Sequence, residues 1–385
     1  MMTISMLAGV NASYAQQLVL TNLLHETRTT EVIQLPLADV RKRVPNIEHM
    51  IAENARTHER LPTQIYPNAD GVKPETLLIA VQLSKGETLT LDFVPADHEP
   101  SANPLVYGRE ALERKDDFAW ENQYTTYRVY GPALEATGEI TSGIDVWSKR
   151  VPNLVIDSFY KRDAEGSRTH NPSLSYHKDD GVGLDSYLVG PSRGCGGTGI
   201  LSDGKLWVSN NYTHLRMLSS GPVRFAFELT YAPWIANGVE VTETKRITLD
   251  AGTHLNKIDS TFTFNGVSDI DAAGGLAVHA GAAFEQLADG NILSVWDTPQ
   301  DPTADRIATG LVVIPGQHTT ASQLSGNALI SMHLHSGETL SYLAGSGWSK
   351  ADMPTQQAWN IYLQQTLTQL QHPVVIRWTK DKKHP

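Results

Sequence analysis

The sequence predicts a mainly β protein, a large antiparallel sandwich with few helices. Three observations carry this reading. Segment after segment alternates apolar with polar residues, the period of a strand with one buried and one wet face. Short turns separate these segments, and the strand–helix–strand order of a parallel sheet is missing. Helical periodicity is confined to two places.

In chain order, residues 76–83 and 87–94 read as strands, with residues 84–86, ending in Gly86, as the turn of a hairpin. Residues 224–231, 239–249, 257–264, 328–335 and 373–378 continue the set to the C-terminus. The clearest helix covers 357–371, where Trp359, Tyr362, Leu363, Leu367 and Leu370 recur at helical spacing and Pro373 lies just beyond. A shorter helix is expected through 47–55. The absence of an internal repeat disfavours a propeller. With no low-complexity linker either, one sandwich domain over 16–385 is expected to carry the catalysis.

Composition sets further bounds. At 385 residues and 40% hydrophobic, the chain can bury a sizeable core. A net charge of −11 makes phosphate backbones poor partners, so nucleic-acid binding is not expected. The apolar runs fall short of a membrane span, so insertion is not expected. Cys195 is the single cysteine, which excludes an internal disulfide and a thiolate-rich zinc site. The first seventeen residues carry no charge, and Ser13 and Ala15 fit a signal-peptidase site. Residues 1–15 therefore read as the remnant of a signal peptide, and the protein as periplasmic or secreted in a Gram-negative bacterium.

The densest chemistry lies between Tyr176 and Gly199. Gly181, Gly183, Gly190, Gly194, Gly196, Gly197 and Gly199 are seven of the chain's 30 glycines. His177, Asp179, Asp180, Asp185, Tyr187 and Arg193 are interleaved with them. Such a run suits close approach of a ligand, or a structural multiple turn. Upstream, a strand through residues 120–130 would put Tyr124, Thr126, Arg128 and Tyr130 on one face, a guanidinium between phenols. Trp147 and Lys149 form a third cluster, and Tyr212 with Arg224 a fourth. The pattern G-x-S-x-G at residues 190–194 lacks a following helix, which argues against a serine nucleophile. His177, Asp179 and Asp185 have the chemistry for a divalent cation but no standard spacing, and no cofactor is expected. His279 reads as a histidine on an apolar strand, either a satisfied core group or a sheet-face base.

Together, Trp120-Glu-Asn, Tyr127-Arg-Val-Tyr-Gly-Pro, Gly143-Ile-Asp-Val-Trp-Ser-Lys-Arg, Tyr176-His-Lys-Asp-Asp-Gly and Gly345-Ser-Gly-Trp-Ser-Lys resemble one family. It is the bacterial domain of unknown function numbered 4861, met in polysaccharide-utilisation loci. The resemblance implies an exported protein of glycan breakdown with a galactose-mutarotase-like β-supersandwich. Residues 64–76 depart from it, being less acidic than the family's Asp-rich turn.

These readings converge on an oligosaccharide partner, an anionic one given Arg128, Arg193, Arg224 and Lys149 within the motifs. The reaction that suits Tyr, His and Arg without a nucleophile is β-elimination across C4–C5 of a uronate, by an exolyase or a dehydratase. His177 and Tyr130 are then the proton carriers, and Arg128 and Arg193 neutralise the carboxylate. Trp120, Asn122, Tyr124, Trp147 and Lys149 are expected to line the site. So are Tyr176, Tyr187, Tyr212, Arg224, His279 and Trp348. Three alternatives stay open. A glycoside hydrolase would draw on Asp179, Asp180, Asp185 and Glu121. A mutarotase or epimerase would use His177 and His279, and a glycan-binding protein Trp120, Trp147 and Trp348 as platforms.

Overall fold

A computed structural model describes residues 16–96, 104–299 and 301–379. The expected signal-peptide remnant, residues 1–15, lies outside the described residues. Among the described residues the fold is mainly antiparallel β, as expected, and the strands form five sheets.

Two sheets build a small sandwich. One has the order Val375–Trp378, Leu18–Thr21, Thr88–Pro95, Met50–Asn54, so the end of the chain returns to pair with its beginning. The other has the order Arg28–Pro36, Pro74–Leu83, Thr63–Pro67. Between them lie Leu20, Ile33, Leu77, Ile79, Leu91 and Phe93, a core of their own. The hairpin expected at 76–94 does not form. Pro74–Leu83 and Thr88–Pro95 belong to different sheets and face each other across this core. Alternation tells that a strand has two unlike faces, not which strand lies beside it. Here Leu78 and Ala80, on the second face of Pro74–Leu83, pack against Val223 of the larger unit. Residues 47–55 also differ from expectation. They form a single helical turn, Ile47–His49, and then the strand Met50–Asn54, because Asn46 enters at φ 60° and the strand pairs with Pro95 to Leu91.

The larger unit stacks three sheets. A nine-stranded sheet runs from Tyr212–Ser220 through Arg224–Tyr231, Val239–Asp250, Leu255–Phe264, Thr339–Trp348, Ile307–Val313 and Ile292–Asp297 to Ala283–Leu287, with Trp234–Ala236 paired to Val239–Asp250. A five-stranded sheet contains Cys195–Ser202, Ile270–Ala277 and Asn327–Leu334 at its centre. A second five-stranded sheet has the order Gly183–Asp185, Asp145–Lys149, Thr125–Val129, Asp117–Asn122, Val106–Ala111. Their shared core is aromatic: Phe118 lies 4.6 Å from Phe227 and Trp120 5.6 Å from Tyr127, centroid to centroid. Each fully buried side chain of this kind contributes roughly 1.5–3 kcal/mol.

Among the described residues, two long helices cover the sheets. Gln356–Gln371 starts where expected, with the Thr355 hydroxyl accepting from the Ala358 amide at 3.1 Å. It lays Trp359, Leu363 and Leu367 on Ile292, Ala308 and Val312. The second, Ile156–Thr169, was not foreseen. Its apolar residues Ile156, Phe159 and Tyr160 fill barely one turn, and Val155 at its start gives no side-chain cap. Among the described residues, no helix is long and apolar enough to cross a membrane.

Candidate functional site

The site is built on the outer face of the sheet that contains Thr125–Val129. Alternation turns Phe118, Trp120, Tyr127 and Val146 into the shared core and the residues between them outward. Register does the rest: Arg128 stands opposite Asp145 on one side and Ala119 on the other, and Trp147 stands between Thr126 and Asp185. Helix Ile156–Thr169 covers the middle of this face, packing Phe159 and Tyr160 against Trp147 and Tyr176.

At one end of the face, acids surround a single guanidinium. Arg128 Nη2 lies 2.7 Å from Asp145 Oδ2 and 3.1 Å from Asp185 Oδ2, and Nη1 is 3.6 Å from Asp117 Oδ2. The same guanidinium donates to the phenols of Tyr130 and Tyr176, each at 3.2 Å. It also lies 5.0 Å from the Tyr130 ring centroid and 5.2 Å from that of Trp147. Asp145 is fully buried, and burial together with the charge of Asp185 pushes its carboxyl up to about 7, although Arg128 pulls the other way. Burial raises the Tyr130 phenol well above its ordinary value, again against the pull of Arg128. The rim differs from this interior. Tyr130 is half-buried, and His177 has 52% of its side chain exposed. His177 Nδ1 lies 3.1 Å from the Asp185 carbonyl oxygen and 3.5 Å from its Oδ2. A carbonyl can only accept, so Nδ1 carries the proton and Nε2 is the basic nitrogen.

His177 and Arg128 therefore meet at Asp185, and Tyr130 joins them through Arg128. The role expected of Arg128 changes, because protein carboxylates already hold the fork intended for a substrate. Arg193 is not part of the cluster. It is buried in the sandwich, with Nη1 donating to Ser142 Oγ at 3.0 Å and Thr198 O at 2.9 Å, and burial pulls its guanidinium down to about 10. Trp120 and Trp147 are fully buried and cannot be platforms; Trp120 donates to Asn256 at 2.7 Å. Asn122 and Tyr212 are buried too, bonding the carbonyls of Asp250 and of Asp116 at 2.9 and 2.8 Å. Arg224 grips Asp250 through two bonds of 2.6 and 2.7 Å, beside the small sandwich.

The glycine-rich run divides in two. Gly183 and Gly194 serve packing: a Cβ at either would meet the Ser148 or Ile144 carbonyl oxygen at 2.2 or 2.1 Å. Cys195–Ser202 is a strand, its first six residues buried, rather than a ligand loop. The exposed part is the turn from His177 to Gly181. Asp179 and Asp180 there pair with Arg150 and Arg162, whereas Asp185 faces Arg128, so the trio considered for a cation does not converge.

His279 lies just beyond the strand Ile270–Ala277, not on its face. Its Nδ1 bonds Asp297 and its Nε2 the Leu188 carbonyl oxygen at 2.7 Å, so an imidazolium ties the Tyr187–Val189 stretch down. The bond to Asp297, partly offset by burial, raises its pKa. The folded state then binds this proton more tightly than the unfolded one. Its stabilisation is complete below the ordinary histidine value, about 6.5, and fades as pH rises through the raised value. Urea midpoints are expected to fall across that window in the native chain and less in His279→Gln; equal slopes would remove the effect.

At the other end of the face, Glu121 is fully buried. Its Oε2 accepts from Lys149 Nζ at 2.7 Å, and its Oε1 from the amides of Val155 and Ile156 at 2.7 and 2.8 Å. Beyond Lys149 opens a cavity of about 530 Å³, walled by Gln123, Tyr124, Arg150, Pro152, Lys350 and Asp352. Tyr124 also borders a cavity of about 240 Å³ and stacks on His254 at 4.3 Å, while His254 Nε2 lies 2.8 Å from Asp352. Tyr124 thus joins the site at this end, away from Arg128. Trp348 is buried beneath Arg150. Asp145, Asp117, Arg150, Lys350 and the His254–Asp352 pair were missed, although Asp145, Arg150 and Lys350 stand inside the quoted motifs.

The profile of the family described as "Domain of unknown function (DUF4861)" matches residues 20–376. The chain belongs to this family. A Formosa agariphila relative, "uncharacterized protein P7", is 26% identical over 371 residues, which is 92% of this chain and 91% of that one. Two solved structures from Enterococcus faecalis align with 96% of the chain at 9% identity. One is an alpha-mannosidase with a TM-score of 0.49, the other a protein in the glycosyl hydrolase family 38 with a TM-score of 0.48. The chain spans 46% and 48% of their lengths, and likenesses this distant carry no argument about activity.

Proposed function

We propose that this chain is an exported carbohydrate-active enzyme that works by acid–base chemistry on uronic-acid-containing oligosaccharides, by β-elimination. One observation carries the choice of chemistry. The groups at the rim of the Arg128 cluster are a phenol and an imidazole, while its carboxylates lie buried beneath them. Glycan breakdown is what the family resemblance implies. In the reaction, His177 Nε2 takes the C5 proton, and the Tyr130 phenol, kept protonated by burial, is the acid. The C5–H electron pair becomes the C4–C5 double bond, the C4–O bond breaks, and the other group protonates the leaving oxygen. A sugar leaves in an exolyase and water in a dehydratase. The protein residues beneath set up the carriers: Asp185 orients His177, and Arg128, donating to the Tyr130 oxygen, holds that phenol in place.

A glycoside hydrolase is the second reading, favoured by Asp145 with its raised pKa beside Asp185 on one guanidinium. One incubation separates the two. With uronide oligosaccharides, elimination raises the ultraviolet absorbance of the unsaturated uronate. Hydrolysis releases reducing ends with flat absorbance, and that outcome would overturn the elimination.

A further inference from the structure

The proposed chemistry leaves the substrate's acidic group without a partner, because Arg128 is held by three carboxylates and Arg193 is buried. Among the described residues, cations meet a cavity in two prominent places. One is the groove of about 430 Å³ between the small sandwich and the nine-stranded sheet. Its cations are each paired with an acid of that same sheet: Arg224 with Asp250 at 2.6 Å, Arg246 with Glu228 at 3.1 Å and Lys257 with Asp259 at 2.8 Å. They are neutralised in place.

The other is the cavity beside Tyr124. Arg150, just past the strand Asp145–Lys149, and Lys350, just past the strand Thr339–Trp348, reach it from different sheets. The Arg150 guanidinium lies over the Trp348 ring, 4.5 Å from the centroid, and the ring is fixed by a 2.6 Å bond from its Nε1 to the Ala304 carbonyl. Stacking on a held indole keeps the planar fork in one orientation. Lys350 bonds the Thr303 carbonyl oxygen nearby. The carboxylate that meets both is Asp179, bonded to Arg150 and 3.8 Å from Lys350 Nζ. Asp179 comes from the exposed turn between His177 and Gly181, where Gly181 has φ +94° and open space around it. At about 530 Å³ the cavity is within the range of small-molecule sites, and Tyr124 supplies an aromatic wall.

We propose that Arg150 and Lys350, above Trp348, form the subsite that holds the anionic group of an acidic sugar, and that Asp179 is the internal anion this group displaces. The substrate class is taken from the proposed function; the place and the residues are new. A carboxylate on a pyranose matches the Asp179 carboxylate in charge and geometry, and a sulfate ester offers the same oxygens. An internal competitor lowers apparent affinity by the fraction of time it occupies the site, so removing it tightens binding.

The test is calorimetric titration with trisaccharides of galacturonate, glucuronate and mannuronate, their carboxyl-reduced counterparts, and inorganic sulfate. Asp179→Asn is expected to bind at least one uronide about tenfold more tightly than the native chain. Adding Arg150→Gln and Lys350→Gln to that variant should remove about tenfold or more of the affinity. The reduced sugars should be insensitive to all three changes. Binding of sulfate in Asp179→Asn at the same residues would assign the site to sulfated sugars as well as uronates. Thermal melts confirm that each variant is folded, and Lys350→Gln alone, at a partly exposed side chain, is the mild control. If no anion distinguishes Asp179→Asn from the triple variant, the subsite is overturned. Charge-selective binding without any unsaturated product leaves the subsite standing and removes the elimination. Product formed equally fast by Arg150→Gln/Lys350→Gln does the reverse.

Discussion

Replacing His177 with alanine is expected to lower turnover by about 10²–10⁴, the usual cost of losing a general acid or base, with little change in stability. The imidazole is more than half exposed and contributes to none of the buried clusters. Its Nδ1 is committed to the Asp185 carbonyl, which leaves Nε2 as the basic position. Tyr130→Phe is the companion variant: it keeps the ring over Arg128 and removes only the phenol. Two carriers acting in sequence on one substrate are not additive, so the double variant should be little worse than the more damaged single one. Initial rates on a uronide and melting temperatures are measured side by side. A parallel fall in both would make His177 a structural residue and leave the elimination without its base.

Much of the β architecture could be read in advance because alternation is written residue by residue. Arg224–Tyr231 and Gln356–Gln371 lie within a residue of their expected bounds. What alternation lacks is the partner. That is why residues 76–94 looked like a hairpin, and why Asp145 went unnoticed although Trp147 and Lys149 on the same strand were singled out. Only the register of Asp145–Lys149 against Thr125–Val129 sets Asp145 opposite Arg128. Aromatic residues misled in the opposite direction. Asp117–Asn122 is buried on both faces, one against the shared core and one against a helix, so Trp120 had no surface to offer. The tripeptide Trp-Ser-Lys occurs at 147–149 and again at 348–350, with unlike outcomes: Lys149 is buried on Glu121, and Lys350 stands at the cavity. Residue type alone does not separate them; a fully buried acid in hydrogen-bond contact, Glu121, holds Lys149 inside, whereas Lys350 meets Asp179 at 3.8 Å from a partly exposed position.

Glu121→Ala is expected to be among the most destabilising single changes in the chain, at about 3–5 kcal/mol. Two losses combine there. Lys149, whose own ionisation is already disfavoured by burial and supported by Glu121, would be left as a buried charge without its counter-ion. Helix Ile156–Thr169 would lose the carboxylate that accepts its first amides, a cap usually worth about 1 kcal/mol. This distant cap is also why the helix escaped notice: its start signal lies 34 residues upstream, on a strand. Because the helix covers Trp147 and Tyr176, fraying at its start should loosen the Arg128 cluster as well. Glu121→Gln keeps the shape and one accepting oxygen for the amides but turns an N–H toward the ammonium, so most of the loss should remain. Pairing Glu121→Gln with Lys149→Met is expected to recover much of it, since a buried ion pair is often replaceable by apolar groups although neither half is removable alone. Urea unfolding of the native chain, Glu121→Gln, Lys149→Met and the double variant closes the cycle. A Glu121→Ala loss below about 1 kcal/mol, the scale of an exposed ion pair, would mean that Lys149 finds water and that the pair does not hold the sheet face together.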